Sequence, residues 1–371
     1  MADIKMADIN EYKCPNCSGV VKFNSGIQKM KCEFCDTEFE LSALEQYQKE
    51  LTEPKTDKFG WEKYGAASGS GGWESGELDA MTVNSCSSCG AEIVGDKNTV
   101  ATICPYCGNT QIVQARVTDM LKPDYVIPFK LDKKAAKAAL KKFYAKKRLL
   151  PKFFEQENHI DSITAIYVPF WLFDADTTVH IHYNATKVTH SSDSSYNYTK
   201  TGHYSCVRDG SLSFKRIPVD GSKKMDDTYM DSIEPFDYTQ MKEFSSAYLS
   251  GYLADKYDVD AEQSKPRANE RIKESVETEF RKTLSGYTSV AVANTRIQFS
   301  GGTVHYALLP VWMLNTKYQG QMYAFAMNGQ TGKLIGKLPV GKGRFWGYFG
   351  GIAGIIGGIA TALMVALRIF L

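Results

Sequence analysis

The sequence predicts an α+β protein: two small cysteine-rich modules, an internally duplicated α+β domain and one C-terminal helix that crosses a membrane. Three observations carry this. Cys14, Cys17, Cys32 and Cys35 form two Cys-x-x-Cys pairs fourteen residues apart, and Cys86, Cys89, Cys104 and Cys107 repeat them, each 72 positions later. The pattern Pro-apolar-Trp-apolar-apolar occurs at 169–173 and again at 310–314. The 23 residues 345–367 contain no formal charge.

Two Cys-x-x-Cys knuckles at this spacing bring four thiolates to one tetrahedral ion. The expectation is therefore two N-terminal zinc ribbons, at 11–40 and 82–115, each holding one Zn²⁺ on its four cysteines. Catalytic zinc keeps an open position, whereas four thiolates close the sphere. Both sites are expected to be structural and to drive the folding of their ribbons. Gly90 and Gly108 follow the knuckles, where a tight turn favours positive φ. Of nine cysteines only Cys206 is left over, and it reads as a buried small residue. Thiolate sites call for a reducing compartment.

Residues 1–9 are a short tandem echo, not a signal peptide. In the first ribbon 20–23 read as a strand, Asn24-Ser25-Gly26 as a turn and 27–31 as the returning strand. Residues 41–80 read as a helix (41–51) followed by a flexible linker, Gly- and Ser-rich at 65–72. Trp61, Tyr64 and Trp73 are unusual there; they either pack on a ribbon or form an exposed partner-binding segment. A helix is expected over 132–150, with Ala136, Leu140, Phe143 and Leu150 as its apolar stripe. From 130 to 152 there are ten Lys or Arg and one acid, Asp132. That basic face is either solvated or set against anionic lipid or nucleic acid.

The two Trp patterns lie 141 residues apart, and Pro128-Phe129 and Pro235-Phe236 lie 107 apart. This reads as a duplication: one α+β repeat at 120–230, and a second at 231–341 with about thirty-four extra residues, whose helices fall at 238–257 and 267–284. The alternative is two unrelated buried Trp strands. Residues 177–219 alternate in strand style around a loop tip at 191–195. A hairpin follows the second Trp strand: strand 321–327, turn 328–332, strand 333–340.

As a helix 345–367 is about 34 Å long, enough for a bilayer core. Phe345, Trp346, Tyr348 and Phe349 stand at its start, and Lys333, Lys337, Lys342 and Arg344 precede it. The positive-inside bias makes this a single-pass anchor in the cell membrane with the bulk cytoplasmic. Gly350, Gly354 and Gly358 share one face, either a close-packing surface for a homo-oligomer or partner helix, or apolar filler.

Net charge is +2, so no global field points to nucleic acid. Residues 86–115 carry one base and two acids, and 11–40 four bases and five acids. The ribbons lack the charge that phosphate binding needs, which favours protein partners. Gly329-Gln-Thr-Gly-Lys333 fails as a phosphate loop, since position 327 is Met and position 334 is Leu. His180, His182 and His190, with Asp174 and Asp176, are too loosely spaced to specify a metal. No nucleophile elbow or zincin pattern occurs, and no enzyme is expected.

The two ribbons, the Trp-containing linker, the repeated Pro-x-Trp strands, Asp226-Asp227 before Ile233-Glu-Pro-Phe-Asp237, Asn328-Gly-Gln-Thr-Gly-Lys333 and the terminal anchor together resemble bacterial membrane proteins labelled TFIIB-type zinc-ribbon-containing. The resemblance covers nearly the whole chain. It implies zinc at the eight cysteines, no catalytic residues, and association with an SPFH-domain (flotillin-like) membrane protein and phage-shock-type stress proteins. The primosomal-helicase label that some such proteins carry does not suit a chain without helicase motor motifs.

Overall fold

The computed structural model describes residues 12–17, 19–52, 57–61, 72–73, 77, 81–96, 103–116, 120–156, 160 and 162–370. The N-terminal echo, Tyr64 and most of the expected linker lie outside the described residues. The fold is mixed α+β. Its strands are β1 (Val21–Asn24), β2 (Lys29–Cys32), β3 (Glu38–Phe39), β4 (Met81–Cys86), β5 (Glu92–Asp96), β6 (Ile112–Arg116) and β7 (Tyr125–Val126). They continue as β8 (Thr164–Ser192), β9 (Asn197–Asp220), β10 (Lys242–Glu243), β11 (Leu253–Asp255), β12 (Ser289–Tyr318), β13 (Gln321–Asn328) and β14 (Leu334–Gly336). The helices are α1 (Leu41–Thr52), α2 (Lys133–Ala145), α3 (Asp227–Ile233), α4 (Ala261–Arg281) and α5 (Lys342–Phe370).

The chain divides into two units, one of 1–61, 174–215 and 269–302, the other of 62–173, 216–268 and 303–371. In the first unit β1, β2 and β3 form an antiparallel sheet, with Val21 opposite Cys32. Asn24 closes the hairpin by accepting from the Gly26 N–H at 2.9 Å. Cys14, Val21, Met30 and Cys32 bury with Leu44 of α1 in a core of their own. The loop between β8 and β9 is held by Asp193, which accepts from the N–H groups of Ser195 and Tyr196, each at 2.8 Å. Lys58 bridges in parallel to Gln298 of β12. Trp61 packs its ring edge-on against Phe299 at 4.8 Å and donates to Asn269 Oδ1 at 2.8 Å. Trp61 therefore packs beside the β12 residue Phe299, which neither sequence reading anticipated.

The second unit is organised by one sheet in the order β10-β7-β12-β8-β11-β5-β4-β6, with β13 on β12 and β14 on β13. The second ribbon belongs to this sheet: β5 runs antiparallel to β11, pairing Val94 with Ala254 and Ile93 with Asp255. Cys86, Ala91, Ile93 and Cys104 share one core with Ile166, Phe170 and Leu309. Trp73 donates to the Met120 carbonyl at 2.7 Å and meets Phe244 edge-on.

Two matched turns stand at the centre of this sheet. Tyr125 and Val126 pair in parallel with Ala307 and Leu308, while Leu253 and Ala254 pair in parallel with Ile166 and Tyr167. After β7 the chain reaches Asp132, which caps α2 by accepting from the Ala135 N–H at 2.7 Å. After β11 it reaches Asp260, which caps α4 by accepting from the Gln263 N–H at 2.7 Å. Trp312 donates to the carbonyl of Leu131, and Trp171 to that of Val259, the residue before the cap in each case. Phe129 meets Trp312 edge-on at 5.5 Å, as Tyr257 meets Trp171 at 5.5 Å. The carbonyls of Pro310 and Pro169 accept from Gly329 and Gly221, both at 2.8 Å. A Cβ at Gly329 would stand 2.8 Å from Phe129 and Pro310, so a larger residue would push this contact apart.

Several expectations are corrected. The geometric counterpart of Ile127-Pro128-Phe129 is Asp255-Lys256-Tyr257, 128 positions on, not Pro235-Phe236. No long helix occupies 238–257: single turns at Tyr238–Gln240 and Ser246–Leu249 flank the extended β10, and β11 follows. Asp237 and Ser245 each cap one turn, Gly251 takes φ +78°, and Leu253 and Ala254 are drawn into the sheet. α2 ends at Ala145, before Leu150, because Lys147 and Leu150 turn the chain toward Pro151. α4 begins at Ala261, ahead of Pro266, where Asp260 and Gln263 cap each other. The last strand shrinks to β14, with Pro339 beyond it.

α5 contains a stretch of 28 residues, Lys342–Ile369, that is predominantly apolar and has none of its residues buried. At about 1.5 Å per residue this is about 42 Å, long enough to cross a membrane.

Candidate metal centres

Each centre is made from two tight knuckles at the ends of a short hairpin. In the first, Cys14 N–H donates to the Gly19 carbonyl at 2.8 Å, and Asp36 N–H to the Cys32 carbonyl at 3.1 Å. In the second, Gly90 N–H donates to Cys86 and Gly108 N–H to Cys104, both at 2.9 Å. Gly90 and Gly108 take φ of +72° and +70°, where a side chain would be strained. Asp36 occupies the place of Gly108 in the first ribbon at φ +56°, a region that Asp tolerates better than most residues.

These turns aim four sulfurs inward. Cys14 and Cys35 Sγ lie 3.6 Å apart and Cys17 and Cys32 Sγ 3.4 Å. Cys86 and Cys107, and Cys89 and Cys104, lie 3.6 Å apart. All four sulfurs of each group fall within 4.8 Å of one another. A tetrahedral ion with metal–sulfur bonds of about 2.3 Å sets its sulfurs about 3.8 Å apart, so both groups fit one ion. Backbone N–H groups of Asn16 and Phe34 point at Cys14 and Cys32 Sγ, at 3.4 and 3.5 Å. Burial pushes the Cys14 thiol up to about 12, while the Thr37 hydroxyl pulls Cys35 down to about 6. Four thiols at this separation ionise together only with a cation among them.

The surroundings of the two centres differ. Around the first, Phe34 is 75% exposed and Phe23 57%. The second is fastened from behind: Asn315 donates its side-chain amide to the Pro105 carbonyl. Tyr106, between Cys104 and Cys107, donates to Asp255 Oδ2 at 2.6 Å. Ser222 donates to the same oxygen at 2.8 Å, and Lys224 Nζ lies 2.8 Å from Oδ1. Three donors on two oxygens suit an ionised carboxylate. Burial works against the Lys224 charge, but Asp255 outweighs it and holds the ammonium above its ordinary range. The sequence reading missed this network; a lone Asp closing the Leu253-Ala254-Asp255 strand was the available signal.

Other residues singled out in the sequence are not members of either sulfur group. His180 Nδ1 lies 2.6 Å from Asp209 Oδ1, His182 Nε2 2.6 Å from Ser205 Oγ, and His190 pairs with Thr199. Cys206 is buried, its thiol 3.4 Å from the Tyr287 hydroxyl.

Comparison with known proteins adds one relationship. Over 243 residues the chain is 42% identical to the uncharacterized protein YdjG of Bacillus subtilis strain 168, covering 66% of this chain and 71% of that one. The chain belongs to the YdjG family. No family model matches it, and no solved structure matches it.

Proposed function

We propose that the chain is a non-enzymatic, membrane-anchored adaptor whose two centres hold structural Zn²⁺ and which recruits other proteins to the bilayer. Zinc is the ion of choice for four thiolates in a closed tetrahedron. In this reading α5 crosses the cell membrane once. The cations Lys333, Lys337, Lys342 and Arg344 before it, against Arg368 near its end, favour a cytoplasmic position for the rest. That side also keeps thiolates reduced. The matched turns before α2 and α4 support an internal duplication of the α+β domain.

The observation that carries the adaptor reading is the contrast between the two centres. Cys86 and Cys104 of the second share the core of the large sheet, whereas Cys14 and Cys32 of the first bury in a small core of their own, and that ribbon holds Phe23 and Phe34 exposed. Exposed aromatics on a rigid support are apt anchors for a protein partner. Lys22–Glu33 and Lys31–Asp36, each 2.8 Å apart, supply both charge signs beside them. An SPFH-type membrane protein and a phage-shock-type protein are the partner classes that the TFIIB-type resemblance suggests. A photo-crosslinking residue at position 34 of the full chain, in native membranes, should give a discrete protein adduct. Adducts with lipid alone, or none, would sink the adaptor reading.

A further inference from the structure

The basic stretch that begins near α2 ends in a turn, and that turn is bonded to the start of α5. Lys147 N–H donates to the Tyr144 carbonyl at 2.8 Å and Leu150 N–H to the Lys147 carbonyl at 3.0 Å, so Lys146, Lys147 and Arg148 project from a fixed bend. Gly341 N–H donates to the Leu149 carbonyl at 2.8 Å. Arg344, in the first turn of α5, donates its guanidinium to the Leu150 carbonyl. Between the bend and the juxtamembrane segment lies a cavity of about 420 Å³, walled by Lys146, Lys147, Arg148, Leu338, Pro339 and Val340. Its lining holds three cations and no acid. Lys146, Lys147 and Arg148 are exposed, as are Lys342 and the aromatic residues Phe345, Trp346, Tyr348 and Phe349 that follow.

We infer that this cavity is a headgroup site for an anionic phospholipid. The inference rests on the reading of α5 as a membrane anchor, which brings Val340 and the bend to the level of the headgroups. There the three cations meet phosphate while Leu338, Pro339 and Val340 meet the upper acyl chain. A cation near an anionic surface gains about fivefold in binding, so three act together on the order of a hundredfold. A nucleic acid would need an open, extended track of cations; here the cations flank a hollow beside apolar residues.

The full chain is reconstituted in nanodiscs of phosphatidylcholine alone and of phosphatidylcholine with a third phosphatidylglycerol, and lysine acetylation is read by mass spectrometry. The expected result is insertion into both discs, with Lys146 and Lys147 acetylated at least fivefold more slowly in the anionic discs. Equal labelling in the two discs overturns the site. So does equal protection by inorganic phosphate, or by a DNA duplex, added to the neutral discs. Failure to enter either disc removes the anchor reading instead, and the headgroup site with it.

Discussion

Asp220 and Tyr106 show how single side chains tie this protein together. Arg267 reaches Asp220 and Asp227 at 2.7 Å and Asp231 at 2.6 Å. Even so, burial outweighs Arg267 and pushes the Asp220 carboxyl from 3.8 up to about 6. A raised carboxyl contributes stability that is fully present below its ordinary value and lost as pH rises through about 6, a loss on the order of 3 kcal/mol. Asp220→Asn should flatten the fall of the unfolding midpoint across that window, read by thermal denaturation at a series of pH values. Tyr106→Phe removes one donor from buried Asp255 and should cost about 1–3 kcal/mol, measured by denaturant unfolding, with metal content unchanged. The eight cysteines were legible because metal ligation by a knuckle is a local pattern repeated at a constant offset. Asp255 was not, because Tyr106 and Lys224 lie 149 and 31 residues away in sequence.

Among the elements, the two ribbons should fail differently. β4, β5 and β6 complete the sheet of the second unit, and Cys104 is part of its core. Cys104→Ser should therefore raise hydrogen exchange through β11 and the first part of β8, Thr164–Phe173, whereas Cys32→Ser should raise it over 12–40 without reaching them. Both should lose metal, and both losses should deepen as pH falls, since the free thiols bind protons that the metal-bound thiolates do not. In α5, Gly350, Gly354 and Gly358 recur every fourth residue and leave one face without side chains, the kind of strip on which another helix packs closely. Gly354→Leu should abolish intramembrane crosslinking while preserving insertion; undiminished crosslinking would mark the strip as filler. Helices with a long apolar row, such as α4, were readable from periodicity. Residues 238–257 were not, because strand pairing of Leu253 and Ala254 overrode their local helical pattern. The second matched turn hid for a related reason: Lys256-Tyr257 keeps the geometry of Pro128-Phe129 without its sequence.

At the scale of the whole molecule, the proposed logic is a division of labour among parts the chain builds by different means. Metal fixes the small hairpins, a mixed sheet with matched turns gives a rigid body, and α5 supplies the attachment. The adaptor reading places recognition on the first ribbon, so recruitment should be separable from folding. The most direct measurement is purification of the full chain from its native membranes, comparing wild type with a Phe23→Ser, Phe34→Ser variant. Metal content, proteolytic pattern and membrane association should be the same for both. The account predicts a stoichiometric protein partner with the wild type that is lost with the variant. Identical partners for the two, or none for either, would contradict it.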